Sequence, residues 1–176
     1  VSNIRRTAEL LDSEGLTSTS YVKAALKQPP LFYQSPETIE GNIRRTAELL
    51  DSEGLTSTSY VKAALKQPPL FCQSPRTIAE HALLVGALYH AKAISFTSKL
   101  KNGAQESGMS PEIYWLTRNP QYFCLASNNF RLRYYYAKLI SETSELKNLT
   151  TSKSQVVKEL ETKYGTSDID TLRDTY

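Results

Sequence analysis

The chain has 176 residues, of which 40% are hydrophobic and 22% are charged, and this composition excludes a disordered or fibrous protein. Its 21 basic and 18 acidic side chains give a net charge of +3, which is too small to identify a nucleic-acid partner from composition. The cysteines Cys72 and Cys124 are too few for a disulfide framework and predict an intracellular protein of the cytoplasm or an organelle matrix.

The first half of the chain contains two nearly identical segments. A shift of 39 residues aligns residues 3–41 with residues 42–80, and the two copies differ only at the pairs 33/72, 37/76, 40/79 and 41/80. One such unit has too few apolar side chains to offset the entropy that ordering it costs. We therefore expect neighbouring units to share a core, as in solenoid proteins.

Each unit is predicted to contain a long helix, a short helix and a tight turn locked by proline. In the first complete unit, the long helix is expected from Pro36 to Ser52, after the cap Ser35 and before the stop Gly54. The short helix is expected over residues 56–66 and ends before two prolines. The apolar pair that follows these prolines, Leu70 and Phe71, is predicted to be tucked under the next unit.

The pattern continues in altered form after residue 80. Residues 108–111 are predicted to open another short helix, and residues 119–124 resemble the proline turn of residues 67–72. The spacing between these turn prolines rises from 39 to 52 residues. The helix that begins at Pro75 is therefore predicted to be about 13 residues longer, running to Lys101 or breaking near Gly86.

The complete prediction is one all-α solenoid domain over residues 1–176. It comprises repeats 3–41 and 42–80, a degenerate repeat 81–140, and capping helices in 141–176, expected at residues 152–164 and 167–176. The most apolar run, residues 82–96, contains His90 and Lys92 and is shorter than a membrane span, so we expect a buried helix and no membrane insertion.

The repeat resembles that of the mitochondrial transcription termination factor family. The resemblance is carried by Leu10-Leu11, Gly15-Leu16, Pro29-Pro30-Leu31-Phe32, Ser35-Pro36-Glu37-Thr38-Ile39 and Asn42-Ile43. It implies a curved solenoid that holds duplex nucleic acid. It covers residues 1–80 well and 108–140 poorly, the repeat is longer and less basic than is usual for that family, and a HEAT-like or other bacterial helical repeat stays open.

Catalysis is not expected. His81 and His90 lie nine residues apart on one predicted helix, and no motif places a nucleophile or metal ligand beside them. Both cysteines follow a phenylalanine in equivalent turns, where a small apolar side chain packs easily. We expect no catalytic residue, metal, cofactor or small-molecule substrate.

Binding is better supported, because cations recur at equivalent positions of the short helices. A stripe with one cation per unit is expected of a protein that tracks a phosphate backbone, whereas lysines on a solvated helix are the simpler explanation. Arg131 and Arg133 stand among aromatic residues that could stack on bases, although Phe130 and Tyr134 fit a core stripe better. The candidate nucleic-acid-binding residues are Lys23, Lys27, Lys62, Lys66, Arg118, Arg131 and Arg133.

The differences between the two copies predict one exposed, variable face formed by Glu37, Glu40, Arg76 and Ala79. Such a face could give each unit its own preference, although neutral drift on a surface is favoured. The alternative to nucleic-acid binding is a scaffold that binds another protein through the repeat surface or near Leu70 and Phe71. A further alternative is a fragment of a longer repeat array.

Overall fold

The computed structural model describes residues 2–140 and 146–176, and this part of the chain is all-α, as predicted. The helices described are α1 (Ser2–Leu10), α2 (Ser18–Lys27), α3 (Pro36–Leu49), α4 (Ser57–Lys66), α5 (Pro75–His90), α6 (Ser98–Glu106), α7 (Pro111–Arg118), α8 (Ser127–Ile140), α9 (Lys147–Thr150), α10 (Lys153–Tyr164) and α11 (Ile169–Thr175).

The ends of the repeat helices follow from local capping. Ser35 accepts a hydrogen bond from the amide of Thr38 at the start of α3, where Pro36 occupies the first turn. α3 ends at Leu49, three residues before the predicted end, and the chain continues through the 3₁₀ turn Asp51–Glu53. Gly54 then adopts a left-handed φ of +82°, and a Cβ there would collide with the carbonyl oxygen of Gly108.

The proline-locked segments form the predicted tight turns, the 3₁₀ turns Pro29–Phe32 and Pro68–Cys72. Leu70 and Phe71 are completely buried, as predicted, but their turn packs against α4, α3 and α2 and not mainly against the next unit. Neither side chain is exposed to a partner. The buried hydroxyl of Tyr60 donates a hydrogen bond to the carbonyl of Leu70 at 2.9 Å, which fixes the turn against α4.

The helices of successive units contact one another in order. Among the long helices, α1 contacts α3, α3 contacts α5 and α5 contacts α8. Among the short helices, α2 contacts α4 and α4 contacts α7. Each short helix also contacts the long helix of its own unit: α2 contacts α1, α4 contacts α3, and α7 contacts α5. Long and short helices thus form two layers, and one large apolar core extends from Ile4 to Leu149.

Identical side chains in the two copies differ in exposure. Val61 on α4 is completely buried, whereas its counterpart Val22 on α2 is 37% exposed. Leu65 is half-buried, whereas its counterpart Leu26 is 69% exposed. α2 lies against α4, whereas among residues 2–140 and 146–176 no preceding short helix lies against α2. The outer face of α2, which carries Val22 and Leu26, therefore differs from the same face of α4, which lies against a preceding short helix.

The extra residues of the third segment do not extend its long helix to Lys101, so that alternative is wrong, and the helix ends four residues after the alternative break at Gly86. α5 ends at His90 and is only two residues longer than α3, 16 against 14. Lys92 adopts a left-handed φ of +58°, which is incompatible with a continuing helix. The chain then forms α6, capped by Thr97, and α6 packs against α7.

The C-terminal helices α9, α10 and α11 all pack against α8. A second, smaller core joins α8, α10 and α11 and is formed by Leu132, Tyr136, Val156, Leu160 and Leu172, whereas Leu149 of α9 belongs to the main core. α10 and α11 lie where the sequence predicts two amphipathic helices, whereas the predicted boundary at residue 141 lies outside the described residues. In the described part of the chain, every helix is too short or too polar to cross a bilayer.

The difference in exposure between Val22 and Val61 predicts different effects on stability when each valine is replaced by alanine. Val61→Ala removes two fully buried methyl groups and is expected to lower the free energy of unfolding by about 1–3 kcal/mol. Val22→Ala is expected to change it by less than about 0.5 kcal/mol. Urea denaturation of both variants checks this, and equal losses would contradict the contact of α2 with α4, since the change in helix propensity is the same in both.

Candidate nucleic-acid interface

The three short helices each end in an exposed cation. Lys27 is the last residue of α2, Lys66 of α4 and Arg118 of α7. Because α2, α4 and α7 contact one another in succession, these cations occupy equivalent positions of neighbouring helices in one layer. The sequence prediction of one cation per unit on the short helices thus coincides with a single layer of the fold.

The lysines of α2 and α4 have no acidic residue on their own helix. Lys23 and Lys62 are exposed one turn before the terminal lysines. In the described residues, no ion pair involves any of these four lysines. Arg118 donates a hydrogen bond to the hydroxyl of Tyr114 at 3.1 Å, and its guanidinium lies 5.3 Å from the centre of that ring.

The four arginines of the long helices α1 and α3 are instead paired with acids. Hydrogen-bonded ion pairs join Arg5 to Glu9 at 2.9 Å, Arg6 to Glu37 at 2.9 Å, Arg44 to Glu40 at 2.8 Å and to Glu14 at 3.1 Å, and Arg45 to Glu48 at 3.0 Å. Arg44 and Arg45 are both within helical spacing of Glu48, but only Arg45 pairs with it among the described residues. Arg76 on α5 is the exception, since it is exposed and forms no ion pair with a described residue.

Arg133 is not available to a ligand. Its side chain is buried, and its guanidinium donates hydrogen bonds to the backbone carbonyls of Leu149 and Thr151, joining α8 to the segment after α9. Desolvation lowers the pKa of Arg133. Its spacing from Phe130 and Ala137, three and four residues, places it on the core stripe of α8, and this signal could have identified it as structural.

The other members of the second basic patch are also engaged within the protein. Arg131 is bound to Glu80 on α5, with its Nε 2.6 Å from the carboxylate. Phe130 is buried and Tyr134 packs against the main core, which agrees with the core-stripe interpretation. These residues are therefore poorly placed to stack on bases.

A cavity between α6 and α7 adds a cation that the sequence prediction missed. The cavity has a volume of about 640 Å³ and includes Lys99 beside Arg118. Its other lining residues are Thr97, Leu100, Asn102, Gly103, Glu106 and Tyr114. The two sequence copies contain no helix equivalent to α6, so the repeat pattern gives no signal for Lys99. The sequence signal that remains is Thr97, a residue type that commonly begins a helix.

The predicted variable face is only partly exposed. Glu37 is exposed, and hydrogen bonds to its own amide, Ser35 and Arg6 lower its pKa. Arg76 is exposed, whereas Ala79 is half-buried and packs against the main core. Glu40 is half-buried in its pair with Arg44. The four positions therefore do not form one exposed patch.

His81 and the cysteines serve packing. His81 is completely buried, its Nδ1 lies 3.1 Å from the carbonyl oxygen of Phe123, and its ring stacks on Phe130 with centroids 4.3 Å apart. Burial raises the pKa of the Cys72 thiol and raises that of Cys124 to about 11, so neither is a thiolate at neutral pH. The described residues contain no cluster of His, Cys, Asp and Glu suited to a metal ion.

Comparison of the chain with protein-family models, with curated proteins and with solved structures gave no match.

His81 predicts how stability depends on pH. Desolvation lowers its pKa in the folded state below the ordinary value of 6.5, so the unfolded chain binds more protons at acidic pH. Its contribution to stability is complete above pH 6.5 and is lost as the pH falls below it, by at most about 1.4 kcal/mol per pH unit. Urea denaturation at several pH values between 7.5 and 5.5 measures the slope.

The control for this prediction is His81→Asn, which installs the residue found at the equivalent positions 3 and 42. The exposed His90 is retained in both proteins. Between pH 7.5 and 5.5 the free energy of unfolding of the variant is expected to lose the dependence on pH that His81 causes, whatever the absolute stability of the variant. An unchanged slope would assign the effect to another group.

Proposed function

We propose that this chain is a non-catalytic helical-repeat solenoid that binds nucleic acid through its short-helix layer. One observation carries the proposal: three consecutive short helices end in exposed cations, and the lysines among them form no ion pair with a described residue, whereas the arginines of α1 and α3 do. The binding surface is formed by Lys23, Lys27, Lys62, Lys66 and Arg118, with Lys99 beside it.

The solenoid part of the proposal is supported by the order of helix contacts. Each long helix contacts the long helix of the next unit, and each short helix contacts the next short helix, including across the insertion that contains α6. The burial of Val61 where Val22 is exposed agrees with a core shared between units. This architecture is also what the resemblance to the mitochondrial transcription termination factor repeat implies.

The mode of binding follows from the type of cation. Ammonium groups on flexible stems act as point charges and suit phosphate contacts, whereas bidentate reading of bases favours arginine. Lys27 and Lys66 also gain from the dipole of the helix they end, but this effect is confined to the last turn and does not account for Lys23 and Lys62. We therefore expect binding that depends weakly on sequence and strongly on salt.

The substitution of Lys27, Lys66 and Arg118 by alanine tests the surface. Because each cation is expected to neutralise about one phosphate, the triple variant should bind more weakly and lower the slope of log affinity against log salt by about three. Fluorescence anisotropy with mixed-sequence duplex DNA and single-stranded RNA over a series of salt concentrations measures both quantities.

The control is a second triple alanine variant with the same net charge as the first. Arg5, Arg45 and Arg173 are exposed and ion-paired within their own helices, so their triple alanine variant also loses three positive charges. This variant is expected to keep most of the affinity and slope. The proposal is wrong if the parent shows no salt-dependent binding, or if both triple variants lose affinity equally.

A second candidate function is supported by the exposed apolar side chains of the first unit. Val22 and Leu26 on α2 match Val61 and Leu65 on α4, which the preceding unit covers. A shallow apolar cavity of about 460 Å³ also opens there, lined by Ile4, Arg5, Ser18, Val22 and Phe32. We propose that this face, the N-terminal face, binds a further repeat unit of the same kind.

Extending the array tests this second candidate. A protein in which an added copy of residues 3–41 directly precedes Asn3 reproduces the natural junction of Gly41 with Asn42. Leu26→Asp in the existing unit is expected to cost less than about 0.5 kcal/mol in the parent, but about 2 kcal/mol or more in the extended protein. Thermal and urea unfolding measure the cost, and an equal, small cost in both proteins would contradict docking on the N-terminal face.

A further inference from the structure

A small cavity lies where the second and third units meet. It is formed by the end of α3 with its following turn, by α5 and by α7, and has a volume of about 270 Å³, slightly below the roughly 300–1,000 Å³ of typical ligand pockets. Its lining is mainly apolar and includes two carboxylates. The lining residues are Leu50, Glu53, Ala82, Leu83, Gly86, Ala87, His90 and Glu112.

Glu112 is the unusual member of this lining. Its side chain belongs to a residue that is only 5% exposed, and its Oε2 is buried with no hydrogen-bond partner in the described residues. A buried carboxylate without a partner is costly unless a cation or a donor satisfies it. Gly86 leaves room for this carboxylate, since a Cβ there would lie 3.2 Å from Oε1 of Glu112.

The cavity exists because the third unit has smaller side chains than the second. Tyr60 lies six residues before the cation that ends α4, and Glu112 lies six residues before the cation that ends α7, so the two positions are equivalent. Counted by the 39-residue period, Ala82 replaces Ile43. By the same period, Gly86 replaces an alanine at position 47. All three replacements remove volume, and together they open the space that the preceding layer fills.

The same comparison shows a missing positive charge. At the junction of the first and second units, Arg44 binds Glu14 at 3.1 Å. At the next junction Glu53 is retained, but Leu83 replaces the arginine. Glu53 forms no ion pair with a described residue. The site thus keeps one carboxylate, gains a second from Glu112 and loses the cation that balances the first.

We propose that this cavity, the Glu53–Glu112 site, binds the guanidinium group of an external ligand, with its alkyl stem against Leu50 and Ala87. A guanidinium supplies the charge that the arginine provides one layer earlier, and its planar donors match a carboxylate in bidentate fashion. The apolar lining suits the three methylenes that precede the guanidinium of arginine. The ligand is a free guanidino compound or an arginine side chain of another protein.

Titration of the ¹⁵N-labelled full chain at pH 7.5 tests the proposal. The probes are N-acetyl-L-arginine amide, its neutral isostere N-acetyl-L-citrulline amide, and agmatine as a free guanidino compound. The arginine amide is expected to shift amide signals of residues 50–53, 82–90 and 112 saturably, and the citrulline amide is not. Agmatine binding as tightly as the arginine amide identifies a free compound as the ligand type, whereas binding of the amide alone identifies a protein side chain.

Two variants separate binding at the site from surface attraction. Glu112→Gln keeps the volume, removes the charge and is expected to weaken binding by about ten- to a hundredfold. Leu83→Arg restores the residue of the preceding layer, so it is expected to fold and to abolish binding by supplying the cation internally. Glu106→Gln, an exposed acid outside the cavity, is the control and is expected to leave affinity unchanged.

The proposal is overturned if no probe binds, if the citrulline amide binds as well as the arginine amide, or if Leu83→Arg leaves affinity unchanged. Because Leu83→Arg matches a residue that this fold already carries at position 44, it keeps the test decisive if Glu112→Gln does not fold. The nucleic-acid surface lies on other residues, so failure of either proposal leaves the other standing.

Discussion

The interaction on which the rest of the structure depends is the packing of each repeat helix against the equivalent helix that follows it. The two nearly identical copies show its effect, since Val22 is 37% exposed whereas Val61, with the same local sequence, is completely buried. The difference comes only from the neighbouring unit, because burial of apolar side chains requires another surface and not a particular sequence. Contacts of this kind order the helices and bring their equivalent positions side by side.

This order of helices also determines where charge accumulates. Charges on the long helices meet across units, as Arg6 meets Glu37 and Arg131 meets Glu80, and these pairs cancel. The lysines of the short helices have no acid on their own helix, so their charge remains. A net charge of +3 is thus compatible with a local excess of positive charge on α2 and α4, each of which carries two lysines and no acid.

The sequence predicted the repeated part of the fold closely, because caps and stops are local. The caps of α3 and α4 and the left-handed Gly54 act within a few residues, and each is recognisable from residue type alone. The insertion was placed wrongly because the end of α5 depends on Lys92, a residue type that does not ordinarily adopt a positive φ. The turn packing of Gly54 against Gly108 likewise depends on a contact between segments more than fifty residues apart, which periodicity does not reveal.

The candidate sites show the same division between local and non-local information. The exposed lysines were identifiable because helical spacing and the absence of nearby acids are properties of a short stretch. The burial of Arg133 and of Glu112 depends on partners from other helices, and a charged residue is ordinarily expected at the surface. Comparison of equivalent repeat positions recovers part of this information, because Tyr60 and the corresponding Glu112 are both buried. A charged residue at a repeat position that is buried in another copy therefore indicates either an internal partner or a ligand. Arg133 has internal partners in two backbone carbonyls, whereas no described residue satisfies Oε2 of Glu112, and this difference separates a structural charge from a candidate binding group.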